Sequence, residues 1–123
     1  MNSIDKKVLV IGASTKPDRY SYKAIKMLQR GNYQVVAIGI KNEMLGEIEI
    51  QIGKPNLDNI HTVTMYLGPQ NQQDIQEYIL SLKPKRVVFN PGTENPDFEK
   101  MLENAGIEVV EHCTLVMLNQ GIF

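Results

Sequence analysis

The chain has 123 residues, 42% hydrophobic and 22% charged, which is ordinary for a folded protein and excludes disorder and fibres. Lys plus Arg number 13 and Asp plus Glu 14, a net charge of -1, which argues against nonspecific nucleic-acid or membrane-surface partners. A single cysteine, a polar stretch from Met1 to Lys7 with no signal-type apolar core, and no membrane-length apolar run point to one cytoplasmic domain over residues 1–123.

Two apolar patterns alternate along the chain. Val8 to Ile11 is a continuous β-branched run that stops at Gly12, the mark of a parallel strand covered on both faces. Ala24, Ile25, Met27 and Leu28 follow at helical spacing and end at Gly31. Val35 to Ile38 is a second buried-type strand, closed by Gly39. No strong helix follows it. Ile48, Ile50 and Ile52 alternate with Glu49 and Gln51, as in a half-exposed edge strand that offers a possible homodimer contact.

Thr62 to Leu67 is the next expected strand, ended by Gly68-Pro69. Asn71 is the expected cap of a helix with Ile75, Tyr78, Ile79 and Leu82 on its inner stripe, stopped by Pro84. Arg86 to Phe89 is a strand broken by Asn90-Pro91-Gly92. Asn95 before Pro96 is a strong helix start, with Phe98, Met101, Leu102 and Ala105 expected inside. Ile107 to Val110 reads as the last strand and Thr114 to Leu118 as a short helix. Five of the six methionines, 27, 44, 65, 101 and 117, read as core filler.

This alternation predicts an α/β fold: a doubly wound, mostly parallel sheet of five to six strands in three Rossmann-like layers. The expected strand order is 3-2-1-4-5-6, with 48–52 at one edge. Ligands of such sheets bind beyond the carboxyl ends of the strands, and most of the Gly and Pro residues fall there.

The first such loop, Gly12 to Ser21, has the residue types of a phosphate site. Gly12 permits a sharp turn, Ser14 and Ser21 carry hydroxyls, and Lys16 and Arg19 carry charge ahead of a helix amino end. The plainer reading is a strand-to-helix turn with Ser21 as its cap. The dinucleotide G-x-G-x-x-G pattern and the P-loop are both absent. At the end of the second strand Lys41 suits a phosphorylated ribose, while Glu43 keeps NAD open as an alternative.

These residues resemble the small stand-alone CoA-binding domain proteins, related to the CoA-binding domain of the succinyl-CoA synthetase alpha subunit. The likeness runs through Val10 to Ser14, Pro17, Arg19, Ser21 and Tyr22, then Lys41 and Leu45-Gly46, and ends at Val109 to Cys113. Gly39-Ile40 and Leu67-Gly68-Pro69 depart from the family pattern, which has Asn-Pro and an arginine pair there, and Asn90 to Asn95 replaces a more apolar segment. The resemblance implies coenzyme A or an acyl-CoA as a small nucleotide ligand. It implies that Gly12, Ser14, Arg19 and Ser21 hold the pyrophosphate, with Ala13 and Tyr22 helping through their backbones. Lys16 and Tyr20 belong to the same loop. Ile40 and Lys41 would flank the adenine and ribose, Leu67 and Pro69 the opposite wall, and Pro91, Gly92 and Thr93 the pantetheine path.

Cys113 is the one candidate nucleophile, weighed against an inert buried thiol. His112 beside it points to the other face if the strand continues. No catalytic constellation and no metal motif emerges. The expectation is therefore a non-catalytic binding module. The alternative is a small enzyme that is NAD(P)-linked or performs acyl-CoA chemistry with Cys113.

Overall fold

The computed structural model describes residues 6–123, so most of the polar Met1–Lys7 stretch lies outside the described residues. Seven strands form one sheet: β1 (Lys7–Ala13), β2 (Gln34–Gly39), β3 (Glu43–Leu45), β4 (Ile48–Gln51), β5 (Thr62–Met65), β6 (Arg86–Phe89) and β7 (Glu108–Glu111). Four helices cover it: α1 (Tyr20–Arg30), α2 (Gln73–Leu82), α3 (Pro96–Asn104) and α4 (Thr114–Asn119). The spatial order is β3-β4-β2-β1-β5-β6-β7. Every pairing is parallel except that of β3 with β4.

With β3 set aside, this is the doubly wound order expected from the sequence. The sheet has one strand more than expected, and 48–52 is not its edge. β4 pairs parallel to β2 on one side and antiparallel to β3 on the other, in the register Glu43↔Ile50, Met44↔Glu49 and Leu45↔Ile48. Gly46, at φ +60°, turns this hairpin. The side chain of Asn42 ties the hairpin's open end by donating to Glu49 Oε2 and to the Ile50 carbonyl, each at 2.9 Å. A hairpin thus stands between β2 and β4, whereas α1, α2 and α3 make the crossovers from β1 to β2, β5 to β6 and β6 to β7.

Alternation along the strands sorts the core into two layers. Leu9, Ile11, Val63, Met65, Val87 and Phe89 face α2 and α3, where Ile75, Ile79, Phe98 and Leu102 meet them. Val8, Val10, Ala37, Ile50 and Val88 face the opposite side, packing with Ile25 and Leu28 of α1 and Met117 of α4. Both faces of β1 are closed, which explains why its sequence is apolar without a break.

The ends of the helices correct three expectations. Arg19, not Ser21, is the capping position of α1, and Ser21 is buried within the first turn. Asn71 does not cap α2. It closes a short 3-10 turn, Pro69–Asn71, and Gln72 precedes the helix. In α3 the inner face is narrower than expected: Phe98 and Leu102 are buried, while Met101 and Ala105 face solvent. Met44, on the open hairpin edge, is exposed too, so only some of the methionines fill the core. The expected cap of α3 is present. Asn95 Oδ1 accepts from the Phe98 amide at 3.2 Å and Glu99 accepts from the Asn95 amide at 2.8 Å, a reciprocal pair that satisfies two otherwise free donors.

Candidate functional site

At the carboxyl ends of β1, β2, β5 and β6 lies a cleft of about 480 Å³. It opens on both sides of β1, at the point where the strand order reverses.

Gly12 forms its floor. The pairing of β1 with β2 shifts register between Ile11 and Ala13, so Gly12 sits in a bulge, at φ +92°. A Cβ on Gly12 would lie 3.0 Å from the Tyr66 carbonyl carbon and 3.1 Å from its oxygen. Glycine is therefore required both by the backbone angle and by the neighbouring strand. Gly39 has a related role, since a Cβ there would come within 2.6 Å of the Ala13 carbonyl. The two glycines let β2 end directly beneath the first loop.

Beyond Gly12 the chain turns through Ala13, Ser14, Thr15 and Lys16, all on the cleft. Ser14 Oγ accepts from the Lys16 amide at 3.1 Å, and the Arg19 amide donates to the Lys16 carbonyl at 3.0 Å. These bonds shape the loop and deliver the chain to α1. Arg19, Tyr20 and Ser21 line the cleft at that helix's amino end.

That end carries no offsetting negative charge of its own, a condition that the short α4 shares away from the cleft. Arg19 gives α1 no side-chain cap, and no acidic residue lies in its first turn. By contrast, Asp74 lies in the first turn of α2, and Asp97 and Glu99 in that of α3. A helix amino end carries free N–H groups and partial positive charge that carboxylates normally offset. At α1 the only charged side chains of the loop facing the cleft are the exposed cations Lys16 and Arg19. Such an end suits an anion.

Ile40 and Lys41 form a second lip, after β2. Ile40 is 91% exposed, far more than an isoleucine without a partner surface usually is. Glu43, at the start of β3, reaches the same cleft and accepts from Thr15 Oγ1 at 3.3 Å, joining the hairpin to the first loop. Tyr66, Leu67 and Gly68 after β5 and Pro91, Gly92 and Thr93 after β6 complete the walls.

Of the residues singled out in the sequence, Tyr22 and Pro69 do not line the cleft. Tyr22 turns toward the helix-covered face, where its ring lies 5.7 Å from Lys26 Nζ. Pro69 is drawn into the 3-10 turn and faces solvent. Thr15, Glu43, Tyr66 and Gly68 were not singled out as binding residues and do line it. Glu43 was legible as a nearby charge. Tyr66 read only as part of a strand.

Tyr66 is the unusual member of this set. Its hydroxyl is buried beside Thr64 and Thr114 with no well-formed hydrogen bond. Burial pushes its pKa up to about 12, an effect that the neighbouring threonine hydroxyls moderate and the Cys113 thiol reinforces. Beneath the cleft the polar groups are otherwise well paired. Asn90 donates to Thr64 Oγ1 and the Met65 carbonyl and accepts from the Thr114 amide, all at 2.8 Å.

Cys113 is half-buried at the start of α4 and is not among the residues lining the cleft. His112 Nδ1 accepts from the Cys113 amide at 2.7 Å, so the imidazole engages that residue's backbone. Among the described residues no group of three or more His, Cys, Asp or Glu side chains is placed to hold a metal ion. No helix among them is long and apolar enough to cross a membrane.

The family model described as CoA binding domain matches residues 6–119. Among solved structures, an uncharacterized protein is 45% identical over 96% of this chain and 98% of its own, with a TM-score of 0.93. A Thermus thermophilus protein, cell-free ID.343, is 25% identical over 96% of this chain and 90% of its own, at a TM-score of 0.83. A hypothetical protein from Pyrococcus horikoshii OT3 is also 25% identical, over 94% and 82%, at 0.82. No curated protein matches the chain.

Proposed function

The chain belongs to the CoA binding domain family, and from that membership we propose that it is a non-catalytic module that binds coenzyme A or an acyl-CoA across the cleft. The observation that carries the reading is the uncapped, carboxylate-free amino end of α1, opening onto the Gly12 floor between Lys16 and Arg19. The diphosphate lies on Gly12, Ala13, Ser14 and the first-turn amides of α1, with Arg19 and Ser21 beside it. Ile40 and Lys41 flank the adenine and its phosphorylated ribose, Leu67 forms the opposite wall, and the pantetheine arm runs past Pro91, Gly92 and Thr93. The chain's residues supply binding and orientation alone, and Cys113, set off the cleft, takes no part.

Thermal unfolding with CoA, dephospho-CoA, NAD, NADP and ATP tests this. A ligand at about a hundred times its Kd adds about 2.7 kcal/mol of stability, which is several degrees in Tm for a domain of this size. CoA is expected to give the largest rise, and Arg19→Ala to abolish it. No rise with millimolar CoA sinks the proposal. A second reading rests on Glu43, whose carboxylate on the cleft suits free ribose hydroxyls. A larger rise with NAD or NADP than with CoA would favour that reading and a nicotinamide-linked enzyme.

A further inference from the structure

Gln72 is fully buried, yet it is a polar side chain standing just before α2 on the protein's surface layer. It caps nothing. Its Nε2 donates to the Leu67 carbonyl at 2.9 Å and to the Thr93 carbonyl at 2.7 Å. Its Oε1 accepts from Asn95 Nδ2 at 3.0 Å. All three bonds leave its own element. They join the loop after β5 to the loop after β6, and both to the cap of α3. Leu67 and Thr93 are both cleft residues, on the two neighbouring walls.

We propose that Gln72 is a positioning residue that sets the separation of the Leu67–Gly68 and Pro91–Thr93 walls and so tunes the cleft for the arm of the ligand, not for its nucleotide end. The inference rests on the coenzyme reading for the identity of that arm. Its geometric basis is separate. The β5 and β6 loops have no regular ladder between them beyond Met65↔Phe89. Two side-chain amides link them there: Asn90 holds the Met65 carbonyl at the base, and Gln72 joins Leu67 to Thr93 farther out. Thr93 is held a second time, since its amide and its hydroxyl both donate to the Asn90 carbonyl, at 3.0 and 2.8 Å. The Pro91–Gly92 tip is thereby anchored at both ends of a tight turn, although Pro91 and Gly92 are themselves exposed. A wall fixed in advance costs a ligand less ordering on binding.

No bond of this clamp reaches the first loop or the Ile40–Lys41 lip. That separation makes the inference testable with two probes. CoA spans the whole cleft, whereas adenosine 3′,5′-bisphosphate carries the nucleotide end without the pantetheine arm. In Gln72→Leu the two carbonyls lose their donor and turn toward water. Removing a buried partner of this kind is expected to weaken CoA about tenfold while leaving adenosine 3′,5′-bisphosphate within about twofold. Gln72→Glu keeps the shape but loses the donor, and should behave like Gln72→Leu.

Asn95→Asp is the milder check if those variants fail to fold. It keeps an acceptor for the Phe98 amide but sets an oxygen against Gln72 Oε1 in place of the donor, and is expected to weaken CoA alone, by about threefold. Calorimetric titration of both probes reads each outcome. Equal losses for the two probes, or no loss for CoA, overturn the inference while leaving the coenzyme reading intact. A wild-type chain that binds neither probe overturns the coenzyme reading and this one with it.

Discussion

A methyl group on residue 12 has nowhere to go. Gly12 combines a backbone angle of +92° with a neighbouring carbonyl carbon 3.0 Å from where a Cβ would stand. Gly12→Ala is expected to destabilise the fold by about 2 kcal/mol, the scale of a strained backbone position, read by urea unfolding, and to abolish the CoA-dependent rise in Tm. Tyr66 gives the opposite kind of prediction. Its hydroxyl is buried without a good partner, so Tyr66→Phe is expected to leave stability at pH 7 unchanged or slightly raised.

The pH dependence of that variant follows from linkage. A phenol whose pKa rises from 10 in the unfolded chain to about 12 in the fold holds its proton more tightly when folded. Its contribution is complete below pH 10 and is lost as the pH climbs toward 12. The alkaline decline of wild-type stability should therefore be steeper than that of Tyr66→Phe, and equal slopes would refute the assignment. Gly12 was legible in the sequence because a glycine ending a β-branched run has few other uses. Gln72 and Tyr66 were not legible. A glutamine one residue from a helix looks like solvated surface until the tertiary fold shows which carbonyls it meets.

At the scale of the element, the clear signals were those with one physical cause. Asn95-Pro96 predicted the start of α3 because a side-chain acceptor and a missing N–H fit only a first turn. The start of α2 misled because Pro69 winds a 3-10 turn first, which moves the helix past Asn71. The β3 hairpin was missed because three residues give too little pattern to read a period. Its Gly46 turn shows its purpose only once Glu43 is found opposite Ile50. The carboxyl end of α2 holds a stability prediction. Lys83 closes that helix at φ +50°, a left-handed position that glycine occupies without strain. Lys83→Gly is expected to stabilise the protein by about 0.5–1 kcal/mol, measurable as a higher urea midpoint with an unchanged slope.

Across the whole molecule the charge is almost balanced, at -1, yet Lys16, Arg19 and Lys41 gather on one cleft. The fold itself makes little use of ion pairs. Among the described residues one pair of oppositely charged side chains lies within bonding reach, Lys7 with Asp58 at 3.3 Å, and Asp58 is well exposed. Salt should therefore separate the two properties. Going from about 0.1 M to 1 M shortens the screening length from about 10 Å to 3 Å. CoA affinity is expected to fall severalfold while Tm without ligand barely moves. A parallel loss of both would mean that the cleft charges help to hold the fold. The three-layer architecture was readable at this scale because strands apolar on both faces need helices on both sides. β3 was not, since an antiparallel strand at the sheet's edge lies outside that logic.

β1 is the first strand in the chain and the centre of the sheet, with β2 on one side and β5 on the other. The two walls of the cleft therefore come from separate halves of the chain, residues 12–43 and 66–93, that meet along a single seam. The run between them, 52–59, is mostly exposed. A break placed there would yield two fragments, each with an unpaired strand edge waiting for the other, β1 in one and β5 in the other. A molecule lying across both walls would act as a bridge between the pieces. In this topology, ligand capture and reassembly of a severed chain become one event.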